Sequence, residues 1–204
     1  MTTADTTPTT AATGTSSIRE SIRMWALVAL VLYIISGVAY AGFTSAGGIW
    51  FVISDSIGLL LSAALLALVI RFDDLFRPHV GRMSLIARWV GAVAMILAIA
   101  GSIVLISFET GHEFIPGGGG LGMQFAGWGL LGVWFVLLAR MNQTLGVFDR
   151  RWERAAQVAG WGSIVAMVAT IPLGPESPAV SIGFTVTFIA IIFWVVWTRR
   201  QLAA

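Results

Sequence analysis

Apolar residues along this chain come in long uninterrupted blocks separated by short polar stretches. The blocks cover approximately 24–43, 50–70, 86–107, 119–139, 156–173 and 179–198. About 20 residues at ~1.5 Å rise suffice to cross roughly 30 Å of hydrocarbon, so each block is long enough to span a bilayer. With no water in the membrane interior to satisfy backbone groups, each is expected to be a helix. A β-barrel needs short segments of alternating character, and a run such as LLLSAALLALVI (59–70) is the opposite. The pattern predicts an all-α integral membrane protein with six transmembrane helices arranged as three helical hairpins.

Composition agrees: 57% of the residues are hydrophobic and 11% charged, and the mean hydropathy is +0.89, far from the balance of a soluble domain. Charge adds orientation. There is no lysine, and the 12 arginines fall before block 1, between blocks 2 and 3 and at the very start of block 3, between blocks 4 and 5, and after block 6. All lie on one side of the predicted topology, which by the positive-inside rule makes both termini cytoplasmic. That side carries twelve arginines against six acids, a net +6, and the other carries only Asp55, Glu109, Glu113 and Glu176, a net −4. The sequence pI near 9.9 therefore reflects this topology and an attraction to anionic headgroups at the cytoplasmic face; the expected location is the cytoplasmic (inner) membrane, with no reason to expect nucleic acid as a partner.

Residues 1–22 are rich in Thr and Ala near their start and are expected to form a disordered cytoplasmic tail. They do not read as a signal peptide, because no basic region opens them and the apolar run that follows is long enough to span. The six-helix domain is expected over 23–200, with 201–204 a short cytoplasmic end. The absence of cysteine excludes disulfides, thiolate chemistry and iron–sulfur clusters. The absence of lysine excludes a Schiff base and a Walker-type phosphate loop. No cofactor is indicated.

The arginines that open the odd blocks, Arg23, Arg88 and Arg154, recur at similar spacing, and Arg71, Arg140 and Arg199 close the even ones. Aligning the even blocks on their closing arginines places Asp55 opposite Gln124 and Gly183, and Gly58 opposite Gly127. Small residues four apart predict close helix packing: Gly58 and Ser62, Ala94, Ala98 and Ser102, Gly122 and Ala126, and Gly162, Ala166 and Thr170. Such faces also suit homo- or hetero-oligomers. Trp50, Trp152 and Trp197 are expected at membrane interfaces; Trp128, Trp134, Trp161 and Trp194 lie deeper, as pocket lining or packing.

Asp55, in WFVISDSIGLLL (50–61), is the main chemical candidate. It falls roughly 7–8 Å inside the outer end of helix 2 at ~1.5 Å per residue, on the side that carries no arginine. A carboxyl group there must be protonated, hydrated from an outward-facing cavity, or matched by a bound cation, unless the helix starts a turn later and Asp55 caps it. Gln124 lies at comparable depth in helix 4. The outer loop FETGHEFIPGGGG (108–120) adds Glu109, His112 and Glu113; Glu109 and His112 share a face if helix 3 continues past Phe108, and a carboxylate–imidazole pair ligates cations or shuttles protons. Too few ligands gather to assign a metal. His79 and His112 belong to opposite sides, so they cannot jointly hold a haem.

The arginine-flanked blocks, with GLLGVWFVLLAR (129–140) ahead of LGVFDRRWERAAQVAG (145–160), resemble bacterial multi-pass membrane proteins, and the lysine-free usage resembles that of high-GC actinobacteria. No motif that carries an activity comes with this resemblance. The expected function is binding or transport of a small solute, cation or proton through an outward-facing polar pocket. The alternatives are a membrane enzyme acting on a lipophilic substrate with Asp55 as general acid, and a non-catalytic accessory or scaffold subunit.

Overall fold

The structure, a computed structural model, describes residues 10–46, 49–112, 117–174 and 177–203, with the side chains of 10–15, 40–46, 117 and 118 outside that description. The described chain is all-helical, with α1 (Thr10–Ala46), α2 (Ile49–Val80), α3 (Arg82–Glu109), α4 (Gly117–Leu145), α5 (Arg150–Leu173) and α6 (Pro178–Gln201). All six are long and apolar enough to cross a membrane. The architecture is that of a multi-pass membrane protein.

Helices outrun the apolar blocks that predicted them. α2 continues nine residues past Arg71 to Val80, through polar sequence supported by helical ion pairs: Arg71 with Asp74 at 3.1 Å and Arg77 with Asp73 at 2.7 Å. α1 begins at Thr10, so residues 10–22, expected as disordered tail, are helical. Extending an established helix adds one hydrogen bond per residue without a new nucleus, which an apolar-block criterion does not register. Residues 1–9 lie outside the described residues. Gly81 (φ 41°) separates α2 from α3, a backbone geometry that disfavours any side chain.

Each helix packs chiefly against its neighbours in sequence, and α6 closes onto α1. α2 packs on α3 much as α1 does on α2, so these contacts do not set three hairpins apart from the links between them. Small residues make the close approaches, though only partly as predicted. Ala94 and Ala98 of α3 are buried and meet Gly127 of α4, whose added Cβ would lie 2.6 Å from Ala94 O. Gly162 and Ala166 of α5 face Thr187 and Gly183 of α6. Gly122, by contrast, is exposed, with nothing within 4 Å of its added Cβ among the described residues; α4 meets α5 through Gly132, whose added Cβ would lie 2.6 Å from Gly160 O.

An aromatic cluster fills the core near the arginine-bearing ends of α2, α4, α5 and α6. Phe72 of α2 contacts Trp134 of α4, Trp152 of α5 and Trp194 of α6 at centroid distances of 6.0, 6.1 and 5.4 Å. Trp134 and Trp194 are thus packing residues. Trp152, expected at an interface, is fully buried; its indole N–H donates to Thr198 Oγ1 at 2.7 Å, which removes the reason for it to seek the headgroups. Trp161 faces outward.

Candidate functional site

Three helices bring the central polar group together at the end of the bundle opposite the aromatic cluster. Asp55 lies six residues after the first residue of α2, about 9 Å along its axis. It is therefore inside the helix and does not cap it. Gln124 Nε2 donates to Asp55 Oδ1 at 2.7 Å and to Ser102 Oγ of α3 at 3.0 Å. Both donors of the Gln124 amide are thereby used, and they fix the carboxyl group of α2 to the hydroxyl of α3 through α4.

Backbone approach permits this geometry. A Cβ on Gly101 would lie 2.8 Å from Gln124 Cγ and 2.7 Å from Gly120 O, so only glycine lets α4 come near enough to α3 at this level. Gly58, one turn beyond Asp55, leaves space beside Ser102 Oγ, 3.8 Å from its would-be Cβ. Ser102 is buried, while Asp55 and Gln124 are half-buried. Asp55 Oδ2 accepts no hydrogen bond among the described residues, and Asp55 forms no ion pair among them.

The other predicted site residues divide. Glu109, the last residue of α3, is exposed and within electrostatic reach of Asp55. His112 is not part of the group: α3 ends at Glu109, Gly111 takes φ 78°, and His112 folds back so that its Nδ1 lies 3.1 Å from Thr110 O. The carboxylate–imidazole pair is thus not formed, because the helix stops before both residues can share a face. Glu113 lies outside the described residues. Among the described residues no cluster of three or more metal-ligating side chains gathers. His79, at the end of α2, and His112 are separated by the length of α3.

Two features escaped sequence reasoning. Ser102 reads as one member of a small-residue stripe; its hydroxyl at the depth of Asp55 was the available signal. Asp73 reads as one acid of a polar connection, yet it is 3% exposed and accepts from Ser84 Oγ at 2.7 Å, Arg77 Nη2 at 2.7 Å and Arg88 Nη1 at 3.2 Å. Its charge is fully matched, so it ties α2 to α3 and leaves no free valence for a ligand. Asp55 is the opposite case.

At the start of α5, Asp149 caps the helix, accepting from the N–H groups of Arg151 and Trp152 at 3.0 and 2.9 Å and from Trp197 Nε1 at 3.0 Å. Slight burial pushes its carboxyl group up, but hydrogen bonds from Trp152, Trp197, Gln201 and Arg151 outweigh this and hold it below the usual carboxylate range. No protein family, curated protein or solved structure matches this chain.

Proposed function

We propose that the chain is a cytoplasmic-membrane protein, termini inside and helices paired as three hairpins, in which Asp55 forms an outward-facing exchange site for a proton or a small monovalent cation. The observation that carries this reading is the Asp55–Gln124–Ser102 group: a carboxyl group within a helix long and apolar enough to span a membrane, held by one neutral donor, with no partner for its second oxygen and no cationic side chain beside it among the described residues. Unpaired ionisable groups at membrane depth are costly and mark ion or proton pathways. The acids of the outer side, with no arginine among them, favour cations there. Gln124 and Ser102 act as positioning residues, and Glu109 adds negative potential at the entrance.

Asp55→Asn tests this cleanly, since the Asn carbonyl still accepts from Gln124 while losing the ionisable oxygen. In proteoliposomes carrying an internal pH dye, with sodium or potassium gradients imposed, wild-type protein is expected to move protons or cations and Asp55→Asn to abolish that flux. Equal flux from the two proteins overturns the reading. The close glycine-mediated packing of α3, α4 and α5 holds the bundle together without any polar site, which leaves an accessory-subunit role as the second reading; it predicts no flux from either protein and co-purification with a membrane partner.

A further inference from the structure

A furrow between α5 and α6 at the arginine-rich end joins two chemistries that match one kind of molecule. Its floor is made by the small residues Ala155 and Ala190, and its walls by Val158, Ile189 and Phe193, which are half-exposed on the outer face of the bundle. It encloses about 500 Å³, within the roughly 300–1,000 Å³ of ordinary ligand sites. Arg151 and Arg154 stand at its head beside Trp197. Arg151 and Arg200 lie over the Trp197 ring at 5.6 and 5.8 Å.

None of these three arginines forms an ion pair among the described residues. The nearby carboxylate of Asp149 is engaged by the helix N–H groups and the Trp197 indole. Guanidinium groups pair with phosphate in a fork geometry, and an arginine stacked on tryptophan keeps its N–H edge free to do so. Below them the lining is apolar for the length of Val158 to Phe193, as an acyl chain requires.

We propose that this furrow binds an anionic phospholipid, its phosphate held by Arg151 and Arg154 with Arg200 at the rim, and one acyl chain laid between α5 and α6 over Ala155 and Ala190. The site is on the far side of α5 from the Asp55 group and stands whether or not that group exchanges ions. Charge complementarity selects phosphatidylglycerol-type headgroups over zwitterionic ones.

Native mass spectrometry of the detergent-purified full chain tests this with phosphatidylglycerol, phosphatidylcholine of the same acyl composition, and inorganic phosphate as probes. Retention of phosphatidylglycerol over phosphatidylcholine is expected. Arg151→Gln with Arg154→Gln is expected to weaken it by roughly 30-fold, the attraction of two arginines to an anionic headgroup. Val158→Trp, which fills the furrow but keeps both arginines, is expected to displace the lipid too, and decides the matter if the double variant does not fold. Arg82→Gln with Arg140→Gln removes the same charge elsewhere on that end and is expected to bind as the wild type does. Equal retention of both lipids, equal loss from the two double variants, unchanged binding by Val158→Trp, or competition by inorganic phosphate as effective as by the lipid would each overturn the assignment.

Discussion

Gln124 Nε2 lies 2.7 Å from Asp55 Oδ1, a contact between residues 69 apart that joins α4 to α2. Because the same amide also reaches Ser102, Gln124→Leu strips a partner from two polar groups at once. Each unmatched group costs about 1–3 kcal/mol. The expected result is a loss of that order in stability, measured by denaturant unfolding in micelles, with Asp55→Asn losing much less because its carbonyl still accepts.

Asp73 is the buried charge with the most partners at the opposite end. Asp73→Ala takes the shared acceptor from Ser84, Arg77 and Arg88 at once; the two arginines are 47% and 37% exposed and rehydrate, so the expected loss falls below the ~3–5 kcal/mol of a fully buried broken pair but exceeds that of losing one partner alone. Arg88→Met leaves the buried carboxylate with Arg77 at 2.7 Å and Ser84 Oγ at 2.7 Å, and is expected to cost less. Thermal unfolding of the two variants in one detergent compares them; an equal loss would mean that Asp73 is not the centre of the network.

The glycines of α4 differ in what surrounds them. Gly132→Ala places a methyl group 2.6 Å from Gly160 O and is expected to cost about 1–3 kcal/mol through forced separation of α4 and α5. Gly122→Ala meets nothing within 4 Å and is expected to stabilise by roughly 0.5–1 kcal/mol through helix propensity. The two substitutions are the same chemically, so opposite signs in unfolding experiments isolate packing from propensity.

Asp149 provides the pH dependence. Its carboxyl group is held below its ordinary value in the folded state, so it contributes stability that is present above the unfolded value of about 3.9 and is lost as pH falls through the lower folded value. The stability difference between wild type and Asp149→Ala is expected to be constant from neutral pH to about pH 5 and to shrink below about pH 4. Loss of the cap itself is expected to cost about 0.5–2 kcal/mol. A difference that grows on acidification would contradict the hydrogen-bonded cap as the cause.

Much of this protein is determined by its sequence alone, because the bilayer leaves a backbone few options. An apolar block of about 20 residues must satisfy its own hydrogen bonds, which is why all six helices are readable without any knowledge of their contacts. Gly162 and Ala166 were likewise legible as a packing face. Only the tertiary structure decided where those blocks end, since ion pairs such as Arg77 with Asp73 carry α2 beyond its apolar part. It also decided which small residues face neighbours: Gly122 and Gly132 are indistinguishable by type, and helix rotation separates them. For the site, depth alone placed Asp55 and Gln124 at one level; their contact, the addition of Ser102 and the departure of His112 depend on how α2, α3 and α4 turn about their axes. A carboxyl group's chemistry is set by what lies within about 3 Å of it, and at that range the neighbours come from other helices.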